Sequence, residues 1–247
     1  MRSVRNLVVV ALVSLASAGI ATAGGAIVLG DLGETHEGIG QSSVKTSLAR
    51  GKVYTANKFP VAVKIHTPGP QWEGGQLETG KYRFIQLVHL HVPDTAPSTG
   101  FGYITLETGT TATPSVAKTL ANLRATPHLK TSPTKAITVA GRHASMFKAT
   151  VTANDGPDTG GTSITPFTVN HHCGFCTGTT HGEIKGLKVG AAGQLFRIIV
   201  LQVHGRTVVI YVESTYASSH AKKHPPTQTF PTFLPYAQKM LAHISFS

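Results

Sequence analysis

The chain has 247 residues and carries 22 Lys and Arg against 11 Asp and Glu, a formal net charge of +11, although charged residues are only 13% of it. The basic balance therefore comes from scarce acids: Lys222-Lys223 is the only adjacent basic pair, and aromatics are not interleaved with bases as a nucleic-acid-stacking module requires, which argues against dedicated DNA or RNA binding. The length suits one domain plus a targeting segment and is enough to bury a core.

Met1 to Ala23 sets Arg2 and Arg5 before the apolar run Leu7 to Leu15 and ends in Ala21-Thr22-Ala23, the layout of a secretory signal peptide with a small-residue cleavage site. Cleavage there makes Gly24 the first residue of a secreted chain. The alternative is an uncleaved membrane anchor, because no charge falls between Arg5 and Asp31 and that span is long enough to cross a bilayer. In both cases the body lies outside the cytoplasm. Residues 24–52 show no sustained period and read as a flexible N-terminal arm. Residues 53–247 are left as a single α+β domain, with a long Gly/Thr-rich insertion over 155–193.

Within that domain the odd-numbered apolar residues Val61, Val63 and Ile65 predict a strand after Pro60. Trp72, the only Trp, follows Pro68-Gly69-Pro70 and is expected in a loop as a core anchor. Tyr82 to Val92 and Phe101 to Leu106 read as strands. Ser115 to Arg124 carries Val116, Leu120 and Leu123 on one stripe, which predicts a helix ended by Pro127. Ala136 to Val139 and Arg142 to Thr152 predict two strands about a tight turn at Gly141.

The strongest signal is Gln194 to Ser214. Leu195, Ile199, Leu201 and Val203 alternate with Phe196, Ile198 and Val200, so both faces are apolar, as in a strand packed on two sides. After His204-Gly205 the β-branched and aromatic run Thr207 to Val212 predicts its hairpin partner. His220 to Pro226 reads as a connector, and Phe230 to His243 as a helix that lays Phe233, Leu234, Ala237, Met240 and Leu241 on the sheet. The order of strands, helix, strands, helix predicts a mostly antiparallel β-sheet flanked by a mid-chain helix and a C-terminal helix.

The stretch Tyr54 to Ile65 with Trp72 after it, Thr126-Pro127-His128-Leu129, the Ile137 to Arg142 turn, the Leu195 to Val212 hairpin and the closing helix with Ile244-Ser245-Phe246 resemble a group of secreted actinobacterial proteins of uncharacterised function. The resemblance covers about Val53 to Phe246. It implies an architecture similar to the PsbP-like α/β/α sandwich, an analogy of fold that carries no function. A Cys pair before the final hairpin also resembles a recurring feature of that group.

One dense cluster offers chemistry: His171, His172, Cys173 and Cys176, with His181 downstream. In an exported protein the default for Cys173 and Cys176 is a disulfide. A tetrahedral zinc site is the alternative, with Cys173, Cys176, His181 and either His171 or His172 as ligands. Thioredoxin-like redox chemistry needs a helix start after the first Cys, and Thr177-Gly178-Thr179-Thr180 is a poor one. His89 and His91, two apart on one strand face, fit either polar alternation or a sheet metal site. The reading that follows is an exported, non-catalytic binding module at the cell envelope whose partner is an envelope component such as an anionic polymer or lipid surface. The alternative is a metal-binding or thiol-dependent enzyme centred on residues 171–181. Because the bases are scattered along the chain, any attraction to polyanions is expected to be diffuse.

Overall fold

The structure is a computed structural model that describes residues 25–32, 46–79, 82–90, 100–153, 162–164, 166–167, 188–190, 192–216 and 226–247. In chain order its elements are β1 (Ile27–Val28), β2 (Thr46–Leu48), β3 (Val53–Thr55), β4 (Val63–His66), β5 (Trp72–Thr79), β6 (Tyr82–His89), β7 (Gly100–Gly109), α1 (Val116–Arg124), β8 (Leu129–Thr131), β9 (Lys135–Val139), β10 (Arg142–Val151), β11 (Thr162–Ile164), β12 (Lys188–Gly190), β13 (Leu195–Val203), β14 (Arg206–Tyr216), α2 (Pro226–Leu241) and β15 (Ile244–Phe246). The fold is α+β. A nine-stranded sheet runs β2-β5-β6-β7-β14-β13-β10-β8, with β9 also on β10, and every neighbouring pair is antiparallel. A second sheet runs β1-β3-β4-β15, parallel between β1 and β3 and antiparallel elsewhere, and β11 pairs with β12.

The β13-β14 hairpin is the centre of this arrangement, as its two apolar faces require. His204 and Gly205 both take positive φ, 47° and 77°, the backbone of a two-residue turn whose twist matches the strands it joins. That turn sets Ile199 opposite Ile210 and Ile198 opposite Tyr211. On one face Ile199, Leu201, Val208, Ile210 and Val212 join Trp72, Phe233, Met240, Ile65 and Phe246 in the larger core, which α2 and the four-stranded sheet cover. On the other, Phe196, Ile198, Val200, Val209 and Tyr211 join Phe147, Val151 and Leu123 beneath α1.

Both helices follow from their stripes. Ser115 caps α1 by accepting a hydrogen bond from the Lys118 N–H, and Leu123 is fully buried with Val116 and Leu120 packed beside it. In α2, Phe233, Ala237, Met240 and Leu241 are buried as expected. The helix begins at Pro226 rather than Phe230 and runs through Pro231 and Pro235. Packing of the apolar stripe on the sheet outweighs the poor intrinsic propensity of those prolines. Gly102 is the close-approach point: a Cβ there would lie 2.1 Å from the Phe233 ring.

Two stretches differ from their sequence expectations. Trp72 is buried as an anchor, but it opens strand β5 rather than sitting in a loop. The glycines that disguise β5 make room for the side chains of the segment bonded along its edge, since a Cβ on Gly75 would lie 2.4 Å from Leu32. The described parts of residues 24–52, expected as an arm, supply β1 and β2. There Leu29 and Leu32 are buried, Gln76 Nε2 donates to the Leu29 carbonyl at 2.9 Å, and Lys58 pairs with Asp31 at 2.7 Å. Docking through backbone and single side-chain bonds leaves no hydrophobic period to read.

Candidate functional site

The residues singled out for chemistry from sequence, His171, His172, Cys173, Cys176 and His181, lie outside the described residues. Among the described residues no three His, Cys, Asp or Glu side chains gather as a metal site. His89 closes β6 and is buried in an aromatic setting, its ring centroid 4.9 Å from Trp72, 4.6 Å from Tyr236 and 6.4 Å from Phe233. That is the environment of a core histidine. His91 lies outside the described residues.

The face of the sheet under α1 carries an interior seam of polar groups. Tyr211 and Glu107 are both fully buried, and the Tyr211 hydroxyl donates to Glu107 Oε2 at 2.8 Å. Beside them Thr105 stands between Gln86 and Tyr211 in register, and its Oγ1 is buried with no hydrogen-bond partner among the described residues. Further along, Gln194 Nε2 donates to Glu213 Oε2 at 2.5 Å, and Tyr103 faces Glu213 across β7 and β14. Asn122 of α1 donates to the Pro166 carbonyl and Phe167 stacks on Tyr82, so residues 166–167 lie along the same side.

The two phenols of the seam keep their protons at neutral pH. Burial pushes the Tyr103 phenol up to about 12. For Tyr211, burial raises the pKa furthest, followed by the charge and hydrogen bond of Glu107, with a lesser contribution from Tyr82. A phenol so raised is a fixed donor at neutral pH and neither nucleophile nor base. Unfolded tyrosines ionise near pH 10, so above that pH the unfolded chain binds fewer protons than the folded one. Stability is then fully present below about pH 10 and falls as pH rises through the folded values. Tyr103 alone accounts for about 2–3 kcal/mol of that loss. Urea melts between about pH 9 and pH 12, followed beside tyrosinate absorbance, should show the decline. A flat stability across that range contradicts the buried assignment.

Glu107 and Glu213 escaped the sequence reading, yet one of them was within reach. A two-residue turn at 204–205 pairs Phe196 with Glu213 and so places that carboxylate on the inward face of Phe196 and Ile198.

The opposite face, at the β8/β9 edge, is basic and open. In β10 the even-numbered residues share the face of α2 and the odd-numbered ones share the face of α1, as the two cores show with Ala144 in one and Phe147 in the other. The register then gathers four bases at one end of the α2 side, with Arg142 on the same face at the other end of β10: Lys148 stands directly opposite Arg197, Lys130 opposite Thr150, and Lys135 opposite Met146. The three lysines are exposed, and Arg197, Met146, Thr150 and Leu195 are partly so. β8, β9, β10 and β13 contain no acidic residue. Arg197 Nε is buried without a hydrogen-bond partner among the described residues, and desolvation lowers the pKa of its guanidinium. Among the described residues the only ion pairs, Lys58 with Asp31 and Arg83 with Glu78, lie elsewhere. Bases that look scattered in the chain are thus gathered by the strand order into one patch.

Among the described residues no helix is long and apolar enough to cross a membrane. No protein-family model matches the chain, and no curated protein matches it. Among solved structures it is similar to LpqN, involved in cell envelope biogenesis of Mycobacterium tuberculosis, at 14% identity and a TM-score of 0.35, over 77% of this chain and 87% of that one.

Proposed function

We propose that the protein is an exported, non-catalytic binding module of the cell envelope, and that its partner is an anionic envelope component met by Lys130, Lys135, Lys148 and Arg197. The observation that carries this reading is the four-base face itself: like charges stand opposed on neighbouring strands, with no acid on those strands to neutralise them. Like charges directly opposite are unfavourable in a free sheet, so an arrangement of this kind is suited to an external anion. Export rests on the signal-like residues 1–23, whose removal takes away Arg2 and Arg5 and lowers the formal charge from +11 to about +9. In the exported form Cys173 and Cys176 pair with each other. The two-faced cover of the central sheet supports the PsbP-like sandwich as the architecture.

The test is binding of the exported protein to an envelope fraction from the producing cell as salt is raised. Retention is expected at low ionic strength and should be largely gone near about 0.5 M salt, where the screening length has fallen to a few ångströms. Retention unchanged by salt contradicts an electrostatic partner, and no retention at low salt removes the reading.

A further inference from the structure

We infer that the open basic corner of the large sheet is a docking surface for an anionic phospholipid bilayer, with Arg197 and Lys148 gripping one lipid phosphate and Lys130 and Lys135 meeting neighbouring headgroups. The inference rests on the envelope reading above and names the partner of the same face.

Its first support is the layout of the charges. Lys130, Lys148 and Lys135 belong to three successive same-face rows of the sheet, and Arg197 stands one strand further in. Same-face residues along a strand are about 7 Å apart and neighbouring strands nearly 5 Å apart, so the bases cover roughly 14 Å by 10 Å. They form a two-dimensional array on a sheet face. A linear polyanion is matched by bases in a line or groove, whereas an array on a flat face matches a plane of headgroups.

The second support is the surface between the charges. Met146 and Leu195 are partly exposed on the same face, beside Lys135 and Arg197. Cationic heads around short apolar side chains suit the boundary of a bilayer, where stems sink toward the acyl region and charges stay at the phosphates. Nothing apolar is needed between bases for a water-soluble polymer.

The third support is Arg197. Its guanidinium lies partly desolvated, its Nε has no partner among the described residues, and Lys148 directly opposes it. A planar guanidinium donates two parallel hydrogen bonds to a phosphate, and a neighbouring ammonium adds a point charge to the same anion. A phosphate between the two cations relieves their repulsion in one contact. The anion suited to this pair is one with paired oxygens, and the planar layout of the bases makes its source the phosphates of a membrane lipid surface.

The test is co-sedimentation of the protein with vesicles of phosphatidylcholine alone and of phosphatidylcholine with phosphatidylglycerol. Three variants accompany it: the triple substitution Lys130→Gln, Lys135→Gln, Lys148→Gln; Arg197→Lys; and a control triple, Lys52→Gln, Lys64→Gln, Lys239→Gln, at exposed bases elsewhere. Binding is expected on the phosphatidylglycerol vesicles only. A base near an anionic membrane is worth about fivefold in affinity, so the face triple should lose about 100-fold and the control triple far less. Arg197→Lys keeps the charge and should still lose about fivefold through the missing fork. The lysines are exposed, so thermal melts of both triples should match the parent. If the two triples lose vesicle binding equally while the face triple alone loses the envelope fraction, the lipid partner is overturned and the envelope reading stands. Binding to inorganic polyphosphate without binding to the vesicles makes the partner a polymer and overturns the lipid assignment. No binding to vesicles, polyphosphate or the envelope fraction removes both.

Discussion

Ile199→Asp should leave too little folded protein to purify. Ile199 is 1% exposed, lies opposite Ile210 on one side and Met146 on the other, and faces the core shared with α2 and the four-stranded sheet. A carboxylate placed there loses its hydration and finds no donor in that apolar setting, so it either stays charged at great cost or binds a proton and remains an unsatisfied polar group. The expected destabilisation is about 5 kcal/mol, comparable to the whole stability of many domains. Ile199→Val, which removes one methylene, should cost only about 1 kcal/mol and fold normally. Urea melts of the pair separate the two effects. If the Asp variant melts like the parent, the two-faced burial of β13 is wrong.

Gly102→Val should be the next most damaging change, and for the opposite reason. At that point β7 touches α2 so closely that even the first added carbon would lie 2.1 Å from Cδ2 and Cε2 of Phe233 and 2.5 Å from its Cγ. Phe233 is itself fully buried and packs at 6.2 Å from Trp72 and 6.4 Å from His89, so the ring has no free side to turn toward. Either α2 lifts from the sheet or β7 bends, and overpacking of this kind costs about 3 kcal/mol or more. Phe233→Ala in the same chain creates the missing space. The double variant should therefore be more stable than the sum of the two single losses, by about 1–3 kcal/mol of coupling. Strict additivity would mean that Phe233 does not sit over Gly102.

The sequence made some of this legible because the signal was local. The hairpin could be read from two apolar runs and one Gly, and α1 and α2 from stripes that recur at helical spacing. Strand β5 was hidden because Gly74 and Gly75, which let Leu29 and Leu32 pack close on its two faces, are also what makes a strand look like a loop. The polar seam was half visible. Glu213 follows from the hairpin register, but Glu107 meets Tyr211 only through the pairing of β7 with β14, which is separated from it by about half the chain. The basic face was the least visible feature. Lys130, Lys135 and Lys148 come together through the local pairing of β8 and β9 with β10, but Arg197 joins them only because β13 returns to β10 after the long 155–193 stretch, and no spacing rule in one dimension reports that return.

The central claim is that these four bases, and not the overall charge, meet the envelope. It is tested most directly by lysine labelling with a small amine-reactive reagent, read residue by residue by mass spectrometry, with and without the envelope fraction at low salt. Lys130, Lys135 and Lys148 should lose about tenfold or more of their reactivity on binding, while Lys52, Lys64 and Lys239, equally exposed elsewhere, keep theirs. Even protection of all six, or protection that spares Lys130, Lys135 and Lys148, would contradict the account.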